Sequence, residues 1–204
     1  MSVLFLDPVF EKQVRKDREQ QSVDRWDEVW EGVLVVPPSP NTEHFRLVSR
    51  LNSAFSAVID WDRGDQAAPG GNVSDRDQDW TKNYRVPDAL VYLMGSAAVD
   101  RNTHWVGGPD FVVEIISPGE APHKKFDFYA KIGTRELLIV DRDPWQLELY
   151  QLKKSQLHLA GCSDLSNRSV LASTVLPLTF QLLQASPRPI IHIAHTSDGR
   201  TWTA

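Results

Sequence analysis

The 204-residue sequence has a single cysteine, Cys162, so no intrachain disulfide can form, and no cysteine-based zinc site is recognisable. It has no apolar run near the roughly 20 residues that cross a bilayer. Its opening stretch, MSVLFLDPVFEKQVRKD, has an apolar patch broken by Asp7 and Pro8, where a secretory signal needs an unbroken one. These absences predict a cytoplasmic chain without membrane contact. Excess basic charge is also missing: the net charge of -5 argues against holding nucleic acid mainly by electrostatics, while leaving room for a local basic groove beside a metal-charged acidic site. No segment repeats, no tract is of low complexity, and no helix-turn-helix or zinc finger is recognisable. The hydrophobic content of 41% suffices for one sizeable core. One α/β domain is expected.

Residues 8–20 are charged enough for a surface helix, and residues 1–23 are set apart as an N-terminal helical appendage to a single domain over 24–204. GVLVV at 32–36 is a strand candidate, stopped by PPSPN, whose prolines cannot continue a ladder and whose Asn41, or Thr42 after it, can cap a helix. From Thr42 to about Asp60, His44, Leu47, Val48, Leu51, Phe55 and Val58 recur at helical spacing. The Gly- and Asp-rich stretch after it is read as loops around a short strand at 71–74. VPDALVYL (86–93), DFVVEIIS (110–117) and ELLIVDRD (136–143) are short, β-branched strand candidates, with a helix over 122–132 and a left-handed cap at Gly133 before the third. A strand at 147–152 and a β-rich tail complete the chain. Ser117–Gly119 is a turn with too few glycines for a phosphate loop.

Three charged residues do not fit a plain core. Side chains alternate along a strand, so Glu114 shares a face with Val112 and Ile116, and both faces of that strand are otherwise apolar. Burying a lone carboxylate there costs several kcal/mol unless it is protonated, paired or bound to a cation. Lys125, Phe128, Tyr129 and Ile132 fall at i, i+3, i+4 and i+7, which places a lysine on the stripe facing the sheet; Lys124 and Lys131 fall elsewhere. Asp88 is in phase with Leu90 and Tyr92. Two carboxylates on neighbouring strands can bind a hard divalent cation, and a nearby lysine can orient water or neutralise charge on a phosphate. The same trio also suits a structural ion-pair cluster.

YRVPDALVYL, GGPDFVVEIISPG and HKKFDFYAKIGTRELLIVDRD, with WEGVLVVPPSPNTEH upstream, resemble the Uma-type family of restriction-endonuclease-like proteins, within the PD-(D/E)XK nuclease superfamily. The resemblance spans about residues 24–155, leaving a β-rich C-terminal extension. It implies an α/β (α+β) restriction-endonuclease-like core, a mixed β-sheet flanked by helices, and metal-dependent hydrolysis of DNA, with Asp88 and Glu114 as ligands of one or two Mg2+ or Mn2+ ions, the backbone carbonyl of Ile115 completing the shell, and Lys125 as the catalytic lysine. The superfamily places that lysine two residues after the second acid, where this chain has Ile116; the lysine is expected to have moved to the following helix. Glu43 or Glu31 would fill the place of an early acid that binds a second metal or its water. His44 and Asp110 are further neighbours; a satisfied core histidine is the favoured reading of the first, and a structural acid rather than a third ligand that of the second. The resemblance also implies a homodimer. Arg46, Arg50, Arg85 and Lys124 are the candidate DNA contacts, and Trp80, Trp105 and Trp145 could stack on bases. His192 and His195, three apart on a strand, fall on opposite faces and do not pair for a metal.

Two other readings compete. A catalytically inactive nuclease fold would serve as a nucleic-acid-binding or protein-interaction module, with the charged trio as ion pairs. Glycoside hydrolysis by the two carboxylates leaves the lysine without a role.

Overall fold

The computed structural model of the protein describes residues 2–116 and 122–204, so the expected turn at Ser117–Gly119 lies outside the described residues. The described chain is a mixed α+β fold built on three sheets. The first contains β1 (Val3–Phe5), β2 (Glu28–Trp30), β3 (Val33–Val36), β5 (Val73–Ser74), β6 (Tyr84–Arg85), β8 (Val99–Asp100) and β9 (Trp105–Val106). Its order is β1-β3-β2-β6-β5-β9-β8. The second contains β4 (Gln66–Ala68), β7 (Ala89–Tyr92), β10 (Phe111–Ile115), β11 (Glu136–Arg142), β12 (Trp145–Lys153) and β13 (Gln156–Asp164), in the order β13-β12-β11-β10-β7-β4. The third contains β14 (Leu171–Ala172), β15 (Leu178–Leu183), β16 (Ile190–His195) and β17 (Thr201–Thr203). The α-helices are α1 (Pro8–Gln20), α2 (Thr42–Ser56) and α3 (Phe126–Lys131).

The strand, helix, strand unit expected around Glu114 is present: β10 and β11 pair in parallel, with Glu114 opposite Ile139 and α3 on the crossover. The first turn of the expected helix is instead a 3-10 turn over Pro122–Lys125, and Gly133 follows α3 at φ +85° as the left-handed cap predicted for it. On its other edge β10 pairs with β7 antiparallel, Val113 opposite Ala89. Extending that register by one residue brings Asp88 opposite Glu114 on one face.

The Asn41 side chain accepts from the backbone N–H of His44 and so caps α2, which ends at Ser56 rather than near Asp60. Its stripe of Leu47, Val48, Leu51, Ala54 and Phe55 packs on Phe111, Val113 and Ile115 of β10 and on Leu178, Phe180 and Ile193 of the third sheet. Phe55, Phe111 and Phe180 meet at centroid distances of 5.4–6.4 Å. Truncating such a ring costs about 3–5 kcal/mol. The opposite face of β10 carries Val112 and Ile116 against Phe128 and Tyr129 of α3. Glu114 therefore points toward the α3 side of the sheet.

The β2–β3 hairpin was not expected; only its second strand was. Glu31 and Gly32 have φ +47° and +89°, the double positive of a two-residue hairpin turn that matches the strand twist, and Trp30 pairs with Val33 across it. This turn puts Glu28 on a strand.

Candidate active site

Each side chain of the site is delivered by a different segment. Glu114 projects from the next-to-last residue of β10, Asp88 from the residue before β7, Lys125 from the end of the 3-10 turn that precedes α3, and Tyr129 from one turn further along. Asp88, Glu114 and Lys125 line one cavity of about 60 Å³, together with Glu28, His44 and Ile115.

The hydrogen bonds of the site form one network. Asp88 accepts through Oδ2 from the backbone N–H of Ile115 at 2.6 Å, and its Oδ1 lies 2.8 Å from Nε2 of His44. Lys125 Nζ donates to Glu114 Oε2 at 3.0 Å and to Glu28 Oε1 at 2.9 Å. Tyr129 donates its phenolic O–H to Glu114 Oε1. Glu28 is pinned by the backbone N–H of Val86 at 2.9 Å on Oε1 and by the indole N–H of Trp30 at 2.7 Å on Oε2. Glu28, Glu114 and Lys125 are all buried.

That burial decides the electrostatics. Loss of solvent pushes the Glu114 carboxyl up from 4.5 to about 8; Lys125 opposes the shift, while the nearby Asp88 and Glu28 carboxylates add to it. Burial also raises the Tyr129 phenol well above its ordinary value, assisted by Glu114. Among the described residues, the carboxyls of Glu28, Asp88 and Glu114 line the cavity together with Lys125 and His44. Among the described residues no three His, Cys, Asp or Glu side chains converge as a ready-made metal cage. Even so, two facing carboxylates beside a backbone carbonyl form an oxygen donor set suited to a hard divalent cation.

The other sequence candidates are placed elsewhere. Glu31 is mostly exposed, bonding the Asn83 side chain and lying 3.6 Å from Arg76. Glu43 pairs with Arg142 and Arg188, each at 3.3 Å. Asp110 accepts from the backbone N–H of Leu93 at 2.8 Å and pairs with Arg135 at 3.0 Å. Arg46, Arg50 and Lys124 are exposed. Arg85 is not available to a surface ligand: it is buried against Trp30 and Phe128, with guanidinium-to-ring distances of 4.8 and 4.2 Å, and bonds the carbonyl of Val29. Its position on a polar stretch hid a side chain packed between two rings. His195 holds the turn at Asp198, and His192 is a separate member of β16.

Two members of the network escaped the sequence. Glu28 sits in DEVWEG, where flanking acids resemble a solvated loop; the Glu-Gly dipeptide closing a hairpin is the signal that would have placed it on a strand. Tyr129 showed only as an apolar position on its helix.

The central mixed sheet, with the strand, helix, strand unit and its acids and lysine at one end, defines a restriction-endonuclease-like fold. Residues 16–185 match the model of the Uma2 family, described as "Putative restriction endonuclease", and the chain belongs to that family. The fold is similar to a crystal structure of a "putative nuclease belonging to DUF820" from Anabaena variabilis ATCC 29413. The two share 20% identity and a TM-score of 0.56 over 72% of this chain and 80% of that one. No functionally curated protein matches the chain. No helix among the described residues is long and apolar enough to cross a membrane.

Proposed function

We propose that the protein is a metal-dependent endonuclease hydrolysing phosphodiester bonds of DNA at the cavity shared by Asp88, Glu114 and Lys125. The observation that carries this reading is the convergence of these residues, from three separate segments, on one small acidic cavity. Asp88, Glu114 and the carbonyl of Ile115 would hold Mg2+ or Mn2+. The chemistry such an ion supplies is neutralisation of a phosphate oxygen and activation of water.

The chain's own groups do the rest. His44 and the Ile115 N–H fix the Asp88 carboxylate, and the Tyr129 hydroxyl fixes Glu114. Lys125 reaches the phosphate or the attacking water from the next helical turn, held in place by Glu28. The experiment is incubation of purified protein with DNA in Mg2+ or Mn2+. Nicking or cutting is expected, and Glu114→Ala or Lys125→Ala should abolish it; cleavage that survives both changes sinks the assignment.

One observation favours a second reading. Asp88, Glu114 and Glu28 are each already held by donors from the protein itself, as a closed structural cluster would be. A nucleic-acid-binding or protein-interaction module would then bind its partner without metal, and would cut neither single-stranded DNA, duplex DNA nor RNA.

A further inference from the structure

A second cavity, of about 190 Å³, lies beside the catalytic one and shares two of its walls, Trp26 and Val86. Backbone forms much of its opposite side, at Gly70 and Gly71. Gly70 has φ +81°, and a Cβ built there would lie 2.7 Å from Cζ3 of Trp26 and 3.5 Å from the carbonyl of Pro87. Only glycine lets this segment close on the indole so near to Asp88, the residue after Pro87. The ring is thereby fixed against backbone while remaining only half-buried, and the exposed Arg25 holds its guanidinium 4.8 Å from the ring centroid.

Trp80 and Trp105 differ from it: each is stacked on another ring, at 4.6 Å on His104 and at 3.8 Å on Tyr92. Trp26 has no such ring partner among the described residues, and it separates a polar catalytic cavity from an adjoining one. An aromatic plane set beside a phosphate-processing site, with a guanidinium over one of its faces, is an arrangement that can receive a nucleobase on the other face while the guanidinium meets the backbone phosphate.

We propose that Trp26 and the cavity behind it bind the base next to the scissile phosphate, which makes an unpaired DNA strand the preferred substrate. The inference rests on the nuclease reading of the catalytic cavity. A base stacked on Trp26 has left its duplex partner, so the strand must be single or opened at that nucleotide.

The test measures binding to the full protein in Ca2+ by fluorescence anisotropy, using labelled oligothymidylate and a chain of equal length made of abasic sites. Magnesium-dependent cutting of the same oligothymidylate is followed separately. Wild type should prefer the base-bearing chain by about 5- to 150-fold, the range of one base stacked on an aromatic side chain. Trp26→Ala should bind both chains alike, and Trp26→Tyr should restore the preference. If Trp26→Ala does not fold by circular dichroism, the wild-type ratio and Trp26→Tyr decide.

Equal affinity of wild type for the two chains overturns the subsite, and if cutting is still seen the nuclease reading stands. Base preference that Trp26→Ala removes, with no cutting of the oligothymidylate, keeps Trp26 as a base-binding residue and overturns the nuclease reading together with the place beside a scissile phosphate. A Trp26→Ala protein that folds and keeps the preference also overturns the subsite.

Discussion

Lys125 Nζ stands 3.0 Å from Oε2 of Glu114, and about nine-tenths of each side chain is buried. A pair in this setting is costly to break from one side, because the remaining charge has no water to turn to. Lys125→Met leaves Glu114 and Glu28 facing each other without their shared ammonium. Urea unfolding in EDTA should show a loss of about 3–5 kcal/mol at alkaline pH, where Glu114 is ionised, and a smaller loss at mildly acidic pH, where Glu114 carries a proton. Added Mg2+ should shrink the alkaline deficit.

Glu114 also sets a pH dependence. Its carboxyl is raised from 4.5 to about 8 in the fold, chiefly by burial. Below pH 4.5 it is protonated in both folded and unfolded chains, and its contribution is fully present. Between there and pH 8 the unfolded chain gives up the proton while the fold keeps it, so stability falls as pH rises, by up to about 1.4 kcal/mol per pH unit. Asp75 acts in the other direction and outside this window: although burial raises it, hydrogen bonds from Arg76 and Lys131 hold it well below the usual carboxylate range. Urea midpoints across the pH series in EDTA should therefore decline for wild type, and Glu114→Gln should flatten the decline.

Glu28 is the acid nearest the lysine. Since it holds Lys125 and is itself held by Val86 N–H and Trp30, its removal should misplace the lysine while leaving the fold anchored by the cores on both faces of β10. Glu28→Gln is expected to lower DNA cleavage by about 10- to 100-fold, the cost usual for a group that orients a site residue. Glu31→Gln, at a mostly exposed side chain, should stay within about twofold. Parallel cleavage rates of the two variants distinguish the roles; equal losses would place Glu31 in the site.

How far the sequence alone revealed the fold and the site depends on the physics of each signal. Glu114 and Lys125 stood out because a charge in an apolar run or stripe demands a partner, and that demand is written in the spacing. Asp88 was legible through its phase with Leu90 and Tyr92. Glu28 was not, because a three-residue strand flanked by Asp27 and Glu31 carries no periodicity, and only pairing with β3 and β6 buries it. Arg85 misled for a related reason: exposure of an arginine depends on the rings that cover it, here Trp30 and Phe128, which come from distant segments. The tail is β-rich in pattern, but nothing in that pattern shows that Phe180 and Ile193 complete the core over α2.

That shared core predicts what the tail is for. Glu136, at the start of β11 and fully buried, accepts from the Thr174 backbone N–H at 2.9 Å, from the Thr174 hydroxyl at 2.7 Å and from Gln151 at 3.0 Å, so one carboxylate ties the central sheet to the approach to β15. Glu136→Leu removes the acceptor of three part-buried hydrogen bonds, at about 0.5–1.5 kcal/mol for each. Thermal unfolding should drop markedly, and a chain ending at residue 155 should show no cooperative transition, since it uncovers Leu51, Phe55 and Phe111. A sharp transition in that shortened chain would make the tail an independent appendage.

His44 offers the cleanest separation of fold from function. Its Nε2 holds Oδ1 of Asp88 at 2.8 Å from the first turn of α2, while Asn41, not His44, caps that helix. Replacing the imidazole thus removes the support of one proposed metal ligand and leaves the helix start intact. His44→Ala should keep the secondary structure seen by circular dichroism and weaken Mn2+ binding by calorimetry about 10- to 100-fold, the usual loss when a group that orients a ligand is deleted. His44→Gln, which can still donate to Asp88, should recover part of that affinity. Unchanged Mn2+ affinity in a folded His44→Ala protein would deny His44 its orienting role, leaving the Ile115 N–H as the group that holds Asp88.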